Sequence, residues 1–218
     1  MEIRGKTIAF LGDSITEGVG ASSLKQSYVQ VFEKITGAKA LNYGISGTRI
    51  APQIKPSAIQ RHDLDFISRV KDMDEKADAV VVFGGTNDFG HGDAPFGTIG
   101  DKNEKTFCGS CYVLMKMLLE KYPLKPIIFM TPLHRVGEDK TVNEIGIQCK
   151  TLKSYVNIIR ETAEQFSVPV LDLYSNSGMQ PNIEEQNKMY FADGLHPNDS
   201  GHERIAKILK NFLETNIL

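Results

Sequence analysis

Short apolar runs separated by longer amphipathic stretches recur along the whole chain. Residues 7–11, 38–43, 79–83, 126–130 and 168–173 are each mainly apolar. Continuous runs of this length, rather than alternating ones, predict strands covered on both faces. The intervening segments carry a different period. Leu152, Tyr155, Val156, Ile159, Ala163 and Phe166 recur at steps of one, three or four, which lays them on one stripe of a helix. Ile205, Ile208, Leu209, Phe212 and Leu213 repeat that pattern near the C-terminus. Strands alternating with helices predict parallel pairing through right-handed crossovers, hence an α/β chain folded as a three-layer α/β/α sandwich. Two connections, 89–108 and 133–150, are long and rich in Gly and polar residues; loops of that length in a compact fold are expected to be lids or binding loops.

Length and charge narrow the function classes. With 218 residues, the chain is expected to form one domain, 1–218. The net charge of -2, with both signs scattered, argues against a nucleic-acid partner. No apolar stretch reaches the roughly 20 residues of a membrane span, so no membrane partner is expected, and the N-terminus reads as the lead-in to a strand rather than a signal peptide. Three cysteines fit a reducing compartment better than a disulfide framework, which places the protein in the cytoplasm. The oligomeric state is left open.

The chemistry-bearing residues fall where the predicted strands end, the edge at which α/β sheets collect their sites. Gly12-Asp13-Ser14 follows the first run, Gly44 to Gly47 the second, Gly84 to Asp88 the third and His134 the fourth. A serine hydroxyl needs a base to take its proton, and a neutral imidazole suits that task near pH 7. Asp193-Gly194-Leu195-His196 supplies one, His196, with Asp193 close enough to orient it. Acyl transfer also needs donors aimed at a developing oxyanion. The small-residue turn Asn42 to Gly47 offers backbone N–H groups, and Asn87 offers a side-chain amide. Each block alone reads equally well as an ordinary turn or helix cap; together they point to ester chemistry. Gly18-Val19-Gly20 lies too far past the first run, with no Lys-Ser/Thr after it, to be a phosphate loop.

Gly-Asp-Ser-x-x-x-Gly, Asn-x-Gly-x-Ser-Gly, Gly-x-Asn-Asp and Asp-x-x-His, in that order between Gly12 and Pro197, make the chain resemble the GDSL family, the SGNH hydrolases. The resemblance implies a flavodoxin-like fold with a five-stranded parallel sheet. It implies a catalytic triad of Ser14, Asp193 and His196, and an oxyanion hole built from the Ser14 and Gly47 N–H groups with the Asn87 amide. No cofactor is implied. The Gly-x-Ser-x-Gly elbow of ordinary α/β-hydrolases is absent.

The remaining candidates are weaker. Phe89, His134 and Arg49 are expected to touch substrate; His91 is expected to border the pocket, and Asp13 to brace its loop. His62 and His202 read as surface residues of helices. Cys108-Gly109-Ser110-Cys111 has a redox spacing but precedes an apolar stripe, so the thiols are expected simply to pack, and no metal site is expected. The expected substrate is a small-molecule ester carrying a short acyl group, acetyl on a carbohydrate. A lysophospholipid or acyl-thioester is the alternative within the class, and a non-catalytic flavodoxin-like binding module the alternative outside it.

Overall fold

A computed structural model of the chain describes residues 3–216. In chain order its elements are β1 (Thr7–Gly12), α1 (Ser14–Glu17), α2 (Tyr28–Thr36), β2 (Lys39–Gly44), α3 (Phe66–Arg69), β3 (Ala79–Phe83), α4 (Thr86–His91), α5 (Phe107–Lys121), β4 (Ile127–Met130), α6 (Leu152–Gln165), β5 (Val170–Leu171), α7 (Leu173–Asn176), α8 (Glu184–Tyr190) and α9 (Asp199–Asn216). The five strands are all parallel, in the order β2-β1-β3-β4-β5. The order reverses between β1 and β3, the crevice in which such sheets place their ligands.

Side chains of a strand alternate between the two faces of a sheet, and the core divides accordingly. Ala9, Leu11, Val80, Val82, Ile127 and Phe129 face α3, α5 and α6. Ile8, Phe10, Val81, Phe83, Ile128 and Met130 face α2 and α9. The stripe predicted on α6 is buried through Leu152, Tyr155, Val156, Ile159 and Ala163. On α9 the buried side is Ile205, Ala206, Leu209 and Leu213, with Ile208 and Phe212 partly covered.

Two strands differ from expectation. β2 is an edge strand, exposed at Lys39 and Asn42, so only one of its sides has a neighbour to cover it. β5 keeps only two residues, because Asp172 turns away to cap α7 by accepting from Ser175 N–H at 3.2 Å and to accept from Thr131 Oγ at 3.0 Å.

Register sets up the site. Gly12 pairs with Gly44 on one side and Phe83 on the other; Phe83 pairs with Met130, and Met130 with Leu171. The carboxyl ends of all five strands are therefore level, and the loops that follow them emerge along one edge. No helix of the described residues is long and apolar enough to cross a membrane.

Candidate active site

Ser14 is the first residue of α1, a single turn entered directly from β1. Asp13 caps that turn, its Oδ1 accepting from Ile15 N–H at 3.0 Å. Burial pushes the Asp13 carboxyl up to about 7, against the pull of the Ile15 N–H and the Arg69 charge. The cap satisfies one of the N–H groups that a helix start leaves without an intrahelical partner, and it fixes the direction in which the next side chain leaves the strand.

The histidine arrives from the far end of the chain because α9 is tied to the connection after α1. The Asp199 carboxylate accepts from Ser22 N–H at 2.7 Å and Ser22 Oγ at 2.6 Å. His202, on the next turn, accepts from Tyr28 N–H at Nδ1 and donates from Nε2 to the Val19 carbonyl, both at 3.1 Å. A Cβ on Gly20 would stand 2.2 Å from the Pro197 carbonyl oxygen, so only glycine lets the two loops close on each other.

Docked this way, His196 brings Nε2 to 2.9 Å from Ser14 Oγ. Its Nδ1 lies 2.7 Å from Asp193 Oδ2. Asp193 Oδ1 in turn accepts from Leu195 N–H at 3.0 Å and His196 N–H at 2.7 Å. Burial works to raise the Asp193 carboxyl, but these hydrogen bonds and the neighbouring imidazole outweigh it and hold it below its ordinary value. A carboxylate can only accept, so Nδ1 carries the proton and the lone pair of Nε2 faces the serine. The arrangement can take a proton from a hydroxyl and return it to a leaving group.

The turns after β2 and β3 carry the other candidate groups. The turn after β2 is pinned to the β1 loop: Ile45 N–H donates to the Gly12 carbonyl at 3.1 Å, Asn42 Nδ2 to the Thr16 carbonyl at 2.8 Å, and Ser46 N–H to Glu17 Oε2 at 2.7 Å. Beneath, buried Arg69 donates to the Tyr43 and Gly12 carbonyls and to Thr48 Oγ1. Gly47 has φ +74°, and its N–H has no hydrogen-bond partner among the described residues. The Asn87 amide gives one N–H to the Thr48 carbonyl at 2.9 Å, and an amide nitrogen has a second to offer. Asp88 holds the same turn in place, accepting from Ile50 and Ala51 N–H at 3.0 and 2.9 Å; burial raises its carboxyl to about 6.

Residues 10–204 match the family of GDSL-like lipases and acylhydrolases. The chain belongs to that family. It is a serine hydrolase acting on ester bonds. Solved structures agree on the fold. A protein from Lactobacillus plantarum is similar at 31% identity, with 99% of this chain and 100% of that one covered and a TM-score of 0.83. The lipase/acylhydrolase from Enterococcus faecalis is similar at 20% identity, with 96% and 95% covered and a TM-score of 0.68. No functionally curated protein matches.

A cavity of about 710 Å³ is lined by Ile54, Pro56, Ala58, Ile59, Ile145 and Ile147, with His62 and His91 among its other walls. A cavity of this size suits a small ligand. The His62 ring lies over Gly47, where a Cβ would come within 2.4 Å of it, and His91 touches Asn87, so these two imidazoles join the cavity to the donors. The connection 133–150, expected to be a lid or a binding loop, contributes Ile145 and Ile147. Sequence reasoning missed the residues 53–59, whose signal was a long connection after Gly47 carrying isoleucines too sparse for a core element.

Phe89, His134 and Arg49, expected to touch substrate, do not line this cavity. Phe89 is 4% exposed and packs in the core, 6.0 Å from the Tyr155 ring, because it falls on the inner side of α4. His134 stacks on Tyr174 with centroids 3.8 Å apart and bonds Glu138 at 2.8 Å. The Arg49 side chain is 2% exposed and paired with Asp63. Nor are His62 and His202 surface helix residues: His202 is fully buried between α2 and the Val19 loop, and His62 sits half-buried on a short 3-10 turn. Cys108 and Cys111 are buried in the first turn of α5. Burial pushes the Cys108 thiol up to about 11 and Cys111 well above its usual range, leaving little thiolate for redox or metal chemistry. No cluster of three or more metal-binding side chains occurs among the described residues.

Proposed function

We propose that the protein hydrolyses carboxylic esters through an acyl-enzyme formed on Ser14. His196 takes the Ser14 proton as Oγ attacks the ester carbonyl, and Asp193 orients the imidazole and stabilises its charged form. Charge on the carbonyl oxygen collects between the Ser14 and Gly47 N–H groups and the free N–H of Asn87. His196 then protonates the departing alcohol, and water reverses the sequence. The observation that carries this reading is the unbroken chain from Ser14 Oγ through His196 to Asp193, at 2.9 and 2.7 Å. A binding module has no need of it, and would leave function unchanged in Ser14→Ala.

For the substrate, the cavity favours an apolar group of several carbons over a carbohydrate. Two of its polar walls are engaged within the protein: Asp93 accepts from Ile54 and Lys55 N–H at 2.7 and 2.8 Å, and Ser57 bonds Asp63. The rest of the lining includes four isoleucines, a proline and an alanine. Three unpaired cysteines among the described residues support a cytoplasmic setting.

A panel of p-nitrophenyl esters on the wild type and Ser14→Ala tests both statements. Each methylene buried in the cavity is worth about 0.8 kcal/mol, or roughly four-fold in kcat/KM, so activity should climb from acetate through the medium-chain esters. A maximum at acetate would instead favour the carbohydrate acetyl ester. Ser14→Ala should lose roughly 10⁴–10⁶-fold in kcat; unchanged turnover ends the hydrolytic mechanism on Ser14.

A further inference from the structure

Arg49, His91 and Asp63 form a partly buried polar network that the triad does not use. We propose that His91 is a positioning residue for the oxyanion hole, donating from Nε2 to hold the Asn87 amide nitrogen toward the reacting carbonyl, and that Arg49 imposes the tautomer this requires. The inference rests on the reading of Asn87 as an oxyanion donor.

The argument is one of donors and acceptors. A guanidinium has only N–H groups to give. Arg49 Nη1 lies 2.7 Å from His91 Nδ1, so Nδ1 must accept and the ring proton sits on Nε2. That nitrogen is 3.2 Å from Asn87 Oδ1, four residues back on the same helical turn, so it donates there. The other end of the amide gives one N–H to the Thr48 carbonyl at 2.9 Å. Both ends are thereby assigned: oxygen toward His91, nitrogen toward Thr48, with the second N–H left for the oxyanion. Without the imidazole donor nothing distinguishes the two faces of the amide except Thr48. A flipped amide would then present a carbonyl dipole to a developing negative charge.

Arg49 is itself held on three further acceptors, Ser57 Oγ at 3.1 Å, the His62 carbonyl at 3.0 Å and Asp63 Oδ1 at 3.1 Å. The segment it grips carries the His62 ring that lies over Gly47. One guanidinium thus braces the surroundings of two oxyanion donors. The charges that act on His91 are Arg49 and Arg135, His62 and Glu144; burial first and Arg49 second depress its pKa to about 4, which keeps the required neutral form in place.

A double-mutant cycle separates positioning from mere packing. Asn87→Ala should lower kcat about a hundred- to a thousand-fold. His91→Phe, which keeps a ring but removes the donor, should lower kcat roughly ten- to a hundred-fold, because the lost interaction belongs to the transition state. Added to Asn87→Ala, it should cost almost nothing more. His91→Gln, which can accept from Arg49 and donate to Asn87, should recover most of the loss. If Asn87→Ala alone leaves kcat intact, the oxyanion reading of Asn87 falls; if it is damaging but His91→Phe costs as much in its presence as without it, only the positioning role falls. Should the variants not fold, ¹⁵N NMR of the wild-type imidazoles decides: at about pH 6, His91 must be neutral and protonated on Nε2, and a proton on Nδ1 overturns the proposal.

Discussion

His196 and His91, two imidazoles held by side-chain partners, are wired in opposite senses. His196 meets a carboxylate at Nδ1, so it keeps its proton there and offers a lone pair at Nε2. His91 meets a guanidinium at Nδ1, so it offers a proton at Nε2. A carboxylate welcomes the imidazolium, which is what a general base must become. A guanidinium opposes it, which turns the ring into a fixed donor. The same side chain is a base or a brace according to the charge of one neighbour.

Replacing that neighbour is the most direct way to break the contrast. Asp193→Asn leaves the shape but allows the amide to donate to Nδ1, turning the His196 lone pair away from Ser14. Turnover should fall about 10³–10⁴-fold, measured as kcat with the preferred ester. A loss under ten-fold would mean that the Leu195–His196 turn orients the ring without the carboxylate.

Gly47→Ala probes the bracing side with a smaller effect. A side chain there would have to tolerate φ +74° and a Cβ 2.4 Å from the His62 ring. Displacing His62 disturbs the segment that Arg49 holds, so kcat should fall about ten- to a hundred-fold. Thermal melting of the same variant should drop as well, since strain of this kind costs about 1–3 kcal/mol. Lost activity with unchanged melting would place the defect in the donor alone.

His202 sharpens the comparison further, because no guanidinium or carboxylate among the described residues hydrogen-bonds its ring. Burial, against the pull of the Val19 carbonyl, lowers its pKa to about 4. The unfolded chain, whose histidine titrates normally, takes up the proton first as pH falls. Stability from neutral His202 is therefore complete above the ordinary histidine pKa of about 6.5 and is lost as pH drops toward 4. His202→Gln has no such titration. The stability advantage of the wild type over this variant, from urea unfolding, should shrink by about 2 kcal/mol between pH 7 and pH 5. A gap that stays constant would show that burial alone does not keep an imidazole neutral here.

Much of the fold was legible in the residues themselves, as was the grouping of Ser14, His196 and Asp193 that hydrogen bonds join. Continuous apolar runs and three-to-four-residue stripes report burial directly, so the layers follow from period alone. Ser14, Asp193 and His196 were recognisable because their local turns carry them: a strand end, and an Asp-x-x-His that closes within one turn. The expected contacts Phe89, His134 and Arg49 do not line the cavity, for a consistent reason. Phe89, His134 and Arg49 were judged by closeness in sequence to a block, whereas orientation depends on which side of a short helix or loop each residue falls. His202 looked like a polar surface residue because its two backbone partners, Tyr28 N–H and the Val19 carbonyl, lie more than 170 residues away.

By itself, then, the order of residues determined the alternation of strands and helices, the level edge where four blocks meet, and the chemical kinds available there. Tertiary structure alone decided which nitrogen of each histidine carries a proton, that Arg49 faces inward to a ring 42 residues on, and that isoleucines from two connections enclose one cavity. The division has a physical cause. Period and turn chemistry act between near neighbours along the chain, while a tautomer or a cavity wall is set by groups that meet only after the chain has folded.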